Sequence, residues 1–213
     1  MSNFANIQPI TMSATNLFKY LSLMTPFLIG FFMLMLSIFN NTIAKGLIFL
    51  IGGVLVTFIN YILKNILREK QSPLASPFCN ILPQPFTVKK TEEIYSSPGL
   101  STTVIAFTAA YLIFPMTINN ENNPALIVFL LGLLGINGAT EYHMSCTSIA
   151  GVILGIVVGG LFGMLYYGIL AGSGNKQLAY FSELQSNSTQ CRKPSNQKFK
   201  CVTYKRGERV KMW

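Results

Sequence analysis

The sequence contains no aspartate and a single histidine in 213 residues. Its seven acidic residues are all glutamate, and charged side chains make up 11% of the chain, where a soluble domain carries about 25%. These shortages remove most metal clusters and most hydrolytic constellations, which need Asp, Glu or His in groups. Cysteine is sparse, at Cys79, Cys146, Cys191 and Cys201. None of the four stands in a C-x-x-C pair, so no zinc site is expected. The stretch 1–17 has no basic segment leading into a short apolar run and a small-residue cleavage site, so no cleaved signal peptide is expected. No internal repeat and no low-complexity tract is visible.

What is abundant is apolar. Hydrophobic residues make up 51% of the chain and the mean hydropathy is +0.46. About 20 apolar residues cross a hydrocarbon core of roughly 30 Å. Five stretches approach that length, at 20–39, 46–63, 101–118, 125–139 and 148–171, and none of them contains a charged residue. The fourth spans only about 22 Å at 1.5 Å per residue. The expected fold is an all-α membrane bundle of about five transmembrane helices over 20–171. A segment 1–19 precedes it and a small soluble tail, 172–213, follows.

Three connections are short, but 65–100 is long and carries Pro73, Pro77, Pro83, Pro85 and Pro98. A loop of this length in a compact bundle is usually functional or packed across one membrane face. In the fifth stretch Gly151, Gly155, Gly159 and Gly163 recur every fourth residue, so one helix face lets another backbone approach closely. Packing within the bundle is the plain expectation, and a homo-oligomer seam is the alternative.

The formal charge is +9, and nine of the 16 Lys and Arg follow residue 175. They are Lys176, Arg192, Lys193, Lys198, Lys200, Lys205, Arg206, Arg209 and Lys211, opposed only by Glu183 and Glu208. Alternation over 198–204, a turn at 205–208 containing Gly207 and a return over 209–213 predict a small β-hairpin in the tail. Basic residues near an anionic surface contribute about 1 kcal/mol each, so lipid headgroups or an acidic protein suit the tail. It has no recognisable nucleic-acid-binding motif, and nucleic acid is not the expected partner.

Five spans put the termini on opposite sides. Lys19, Lys64, Arg68, Lys70, Lys89 and Lys90 lie close to span ends on the N-terminal side, against Lys45 and Lys176 on the other. Counted near the ends, the positive-inside rule favours a cytosolic N-terminus, while the tail's own charge argues the reverse. A glycosylation sequon at Asn187 agrees with an external tail. The same topology groups Cys79 with Cys146 and Cys191 with Cys201, as two disulfides or as four free thiols.

Two places resemble the type 2 phosphatidic acid phosphatases. Lys64, with Arg68, Lys70 and Pro73, resembles a loosened K-x6-R-P motif. Ser97-Pro98-Gly99-Leu100-Ser101 stands where P-S-G-H-S would open a span, and His143, four residues before Thr147, resembles the H-x3-D pattern. The resemblance implies a histidine nucleophile, a histidine acid, an orienting carboxylate and cations for the phosphate. Here the acid position is Leu100, the carboxylate position is Thr147 and the Arg position is Asn137. Losing one member of a coupled catalytic set costs about 10⁴ to 10⁶ in rate. The implied protein is a catalytically dead relative that binds lipid phosphate.

The tail carries a second likeness. Tyr180-Phe181-Ser182-Glu183-Leu184, Cys191-Arg192-Lys193-Pro194, Gln197 to Cys201 and Tyr204-Lys205, with Cys146-Thr147-Ser148 leading into the Gly-rich span, are similar to a family of membrane proteins from large nucleocytoplasmic DNA viruses. That likeness implies a non-enzymatic virion component at the internal membrane, in contact with lipid and with capsid proteins through the tail and the long loop. No cofactor is implied by either likeness.

Overall fold

The computed structural model describes residues 13–80, 94–120, 122–174, positions 178 and 184, and the strand residues 203–205 and 208–210. Five helices, each long and apolar enough to cross a membrane, make up the bundle: α1 Ala14–Phe39, α2 Ile43–Leu67, α3 Leu100–Ile118, α4 Pro124–His143 and α5 Ile149–Gly172. The protein is an integral, multi-pass, all-α membrane protein. A short two-stranded antiparallel ribbon, β1 Thr203–Lys205 and β2 Glu208–Val210, follows in the tail. Lys205 faces Glu208 and Thr203 faces Val210, so both ends of the expected turn belong to the strands and the hairpin is tighter than the alternation implied.

Local chemistry sets the helix ends. Asn123 caps α4, its side chain accepting from the Leu126 N–H at 3.3 Å with Pro124 at the first helical position. Ser148 caps α5 by accepting from the Gly151 N–H at 3.1 Å. Helix α2 stops at Arg68, whose φ of 49° is left-handed.

The helices run past their apolar stretches, and this corrects the expectation that no charge enters a span. Lys19 lies in α1, Lys45 and Lys64 in α2, and Glu141 in α4. Helix α4 has 20 residues, about 30 Å at 1.5 Å per residue, and so is long enough to cross by itself. Hydrogen bonding along a helix does not end where apolar residues end; it continues when the next polar side chain has a buried partner, as Glu141 does.

Helix α3 is the axle. Two thirds of its span (67%) is buried, against 22–28% for the other four. Its hydroxyls explain why it is the least greasy stretch: Ser101, Thr102, Thr103 and Thr108 are all buried. Hydrogen bonds inside the protein satisfy them, as Thr108 does by donating to the Val104 carbonyl at 2.9 Å. In lipid no water replaces such a bond. Around the axle Phe49, Phe107, Tyr111, Phe162 and Tyr166 form a run of ring contacts at centroid spacings of 5.8–6.1 Å. Tyr166 ends its contact by donating to the Ile48 carbonyl at 2.8 Å. Outward-facing Phe27, Phe31, Val54, Val128, Leu165 and Ile169 meet lipid.

The glycine ladder of α5 lies on α3. A methyl group at Gly159 would overlap the Thr103 carbonyl, and one at Gly163 would sit 2.6 Å from the Phe107 carbonyl. At Gly155 it would meet the Thr103 hydroxyl at 3.0 Å. From Gly155 to Gly163 the ladder is therefore a seam within one chain, with α3 occupying that face. Gly160, one residue along, has nothing within 4 Å.

Cys79, in a 3-10 turn at Pro77–Asn80, is disulfide-bonded to Cys146 in the turn between α4 and α5. Of the two expected alternatives for this pair, the bridge is the one present.

The seam yields a matched pair of variants. Overpacking costs about 1–3 kcal/mol, whereas Gly to Ala in an open helix gains up to about 1 kcal/mol in propensity. Gly159→Ala should lower the thermal unfolding midpoint in detergent, and Gly160→Ala should leave it unchanged or raise it. Equal behaviour of the two would contradict the α3–α5 contact.

Candidate functional site

The ends of α2 and α4 and the starts of α3 and α5 meet at one end of the bundle. There they surround a cavity of about 50 Å³. Lys64, Gly99, Leu100, Ser101, Glu141 and Thr147 line it, and the Cys79–Cys146 bridge and Phe78 form part of its wall.

Glu141 organises this end. Only 4% of it is exposed. Its carboxylate accepts from the Ser101 N–H at 3.2 Å and from the Thr102 hydroxyl. These groups belong to the first turn of α3, so a side chain from α4 caps the helix and places negative charge where the α3 dipole favours it. Gly99 makes room for this, because a Cβ there would overlap a carboxylate oxygen of Glu141. One turn earlier on α4, the Asn137 amide donates to the Ser22 carbonyl of α1 at 2.7 Å. On α2 the Asn60 amide donates to the Thr103 hydroxyl at 2.8 Å, and that hydroxyl donates to the Gly99 carbonyl at 2.6 Å. Ser101 donates to the Leu23 carbonyl at 3.3 Å. Four helices are thus tied by one polar network whose centre is the α3 N-terminus.

Two polar groups in the cavity are left over. The Thr147 hydroxyl is buried without a hydrogen-bond partner. Lys64, 8% exposed, lies one turn beyond Asn60 and has no hydrogen bond or ion pair among the described residues; the charge acting on it is that of Glu141. Both leftover groups donate, whereas the carboxylate already accepts two bonds. The cavity therefore has open capacity for an acceptor such as a phosphate or carboxylate oxygen.

Several positions singled out in the sequence converge here. Lys64, Gly99, Leu100 and Thr147 line the cavity, and Ser97 is buried behind it, beside Gly151. His143 does not join them. It is exposed at the last turn of α4, in ring contact with Tyr142 at 5.8 Å. Two residues at helical spacing point in different directions, so burying Glu141 turns His143 outward, and the one residue matching the nucleophile pattern is corrected to a surface position. Sequence reading missed Glu141. Its signal was a carboxylate four residues after Asn137, on the same helical face and within reach of a continuing helix.

Asn187, Cys191, Arg192, Lys193, Lys198, Lys200, Cys201, Arg206 and Lys211 lie outside the described residues; Lys205 and Arg209 belong to the paired strands. Compared with known proteins, the chain matches no family model, no curated protein and no solved structure.

Hydrogen bonds to charged groups contribute about 1.5–3 kcal/mol. Glu141→Ala should destabilise the protein in detergent by at least that amount, while exposed His143→Ala should stay within about 0.5 kcal/mol of wild type. Thermal or denaturant unfolding of the two variants checks the assignment.

Proposed function

We propose that the chain is a non-enzymatic structural protein of a membrane, a virion inner-membrane component that anchors the bilayer to an overlying capsid. The supporting observation is how the tail leaves the bundle. Leu184 packs against the hydrophobic core, and its carbonyl accepts from the Asn123 amide at 2.9 Å. Asn123 also caps α4, so a load on the tail passes straight into a transmembrane helix. Five spans put the 68–99 connection and the tail at opposite ends, and a shell on one side can meet only one of them. The basic, bundle-tied tail is the better anchor, which leaves the long loop out of the capsid contact. A reconstruction of intact particles should show regularly spaced density joining the membrane to the shell. If the chain is missing from purified particles, this role is wrong.

The cavity supports a second reading, a lipid-phosphate-binding protein on a degenerate phosphatase-like scaffold. Two unused donors, Lys64 and Thr147, face a space suited to one tetrahedral group. Leu100 at the acid position and His143 on the surface leave no nucleophile and acid pair there. Protein in nanodiscs should retain phosphatidic acid over phosphatidylcholine. Lys64→Met, which leaves the basic tail intact, should weaken that retention about 10- to 100-fold, the loss of one charge-assisted bond. Undiminished retention by Lys64→Met would remove the second reading, and phosphate release by the wild type would overturn the non-enzymatic assignment.

A further inference from the structure

We infer that the disulfide-bearing end of the bundle faces an oxidising compartment, and that the basic tail lies on the opposite, reducing side of the membrane. This sidedness stands independently of the anchoring role.

The Cys79–Cys146 bond joins two connections at the same end, 67 residues apart in sequence. Thiols in the cytosol are kept reduced, whereas structural disulfides form and persist in the lumenal, periplasmic or extracellular space. Noncovalent contacts already hold the two cysteines together. The Ser76 N–H donates to the Met144 carbonyl at 3.1 Å, and Phe78 and Met144 pack with Leu23 of α1, with both cysteines against that cluster. The thiols would therefore meet in any folded chain, and the compartment alone decides whether they are joined. The N-terminus of α1 and the 68–99 connection share this end. An odd number of spans carries the chain out on the other side.

The charges can be re-weighed with the structure. Lys64 is buried beside Glu141 in the cavity, so it does not act as a free topogenic charge. Lys45 is buried likewise, so Lys19, Arg68, Lys70, Lys89 and Lys90 remain at the disulfide end, against nine basic residues of the tail at the other. Counted over the whole tail, nine against five places it inside. The count restricted to span ends favours the reverse. Charge bias only weights an orientation, whereas structural disulfides are rare on a reducing side, so the covalent bond carries the assignment. The consequences are specific: Asn187 carries no glycan, Cys191 and Cys201 are thiols, and the tail meets the anionic cytosolic leaflet or a partner on that side.

The full chain in sealed microsomes, cytosolic face outward, tests this with a membrane-impermeant maleimide. Cys191 and Cys201 should label before permeabilisation. Leu74→Cys, at a position 85% exposed in the 68–99 connection, should label only afterwards. Cys79 and Cys146 should label only after permeabilisation and reduction. Endoglycosidase should leave the wild-type mass unchanged. Tail thiols protected in sealed vesicles, labelling of Leu74→Cys before permeabilisation, or a glycan on Asn187 would each overturn the inference. Should Leu74→Cys fail to accumulate, the wild-type tail thiols and trypsin cleavage of the tail decide alone.

Discussion

The close approach of α5 to α3 is the contact on which the rest of the bundle depends. In a bilayer, apolar side chains gain little by leaving lipid for protein, so helices associate through packing and hydrogen bonds. Gly155, Gly159 and Gly163, in register on α5, bring its backbone onto Thr103 and Phe107 of α3. That approach converts α3 into a buried axle and lets a helix carrying Ser101, Thr102, Thr103 and Thr108 cross the membrane without exposing hydroxyls to lipid. The aromatic run from Phe49 to Tyr166 then joins α2, α3 and α5 around the axle.

Once α3 is central, its N-terminus is a problem that the fold must solve. Its first N–H groups have no partner within the helix, they lie away from bulk water, and Gly99 offers no side-chain cap. Glu141 supplies that cap from α4. Burial disfavours charge on this carboxyl group, and the helix dipole, two hydrogen bonds and the neighbouring Lys64 side chain offset that cost. The same arrangement leaves Lys64 and Thr147 with donors to spare. A polar cavity at this end is thus a consequence of capping a buried helix, which a binding function could then use.

The apolar stretches, the glycine ladder and the grouping of Cys79 with Cys146 were legible because each is a local pattern or follows from counting spans. Helix ends were less so. Hydropathy locates the segment that lipid requires, but capping and tertiary partners decide how far the helix continues, and α4 continues four residues further to His143. Those four residues changed the reading of the site, burying Glu141 and turning His143 outward. Motif spacing alone had favoured the histidine. Spacing fixes a direction only when the helix boundary is known, and here the boundary depended on a partner in α3, 40 residues away in sequence from Glu141.

The two ends of the bundle are held together in different ways. At one end a disulfide and a polar network lock the connections of four helices to one another, so that end resists opening. At the other, Asn123 and Leu184 bind the root of the tail to α4 and the core, and the paired strands lie further along the chain. Two strands alone are marginal in water, so the ribbon gains from a surface to rest on, and the nine basic residues around it favour an acidic one. A rigid far end keeps the helices from splaying when the tail is held. That division, a locked base and a charged tether, suits the anchoring role proposed above.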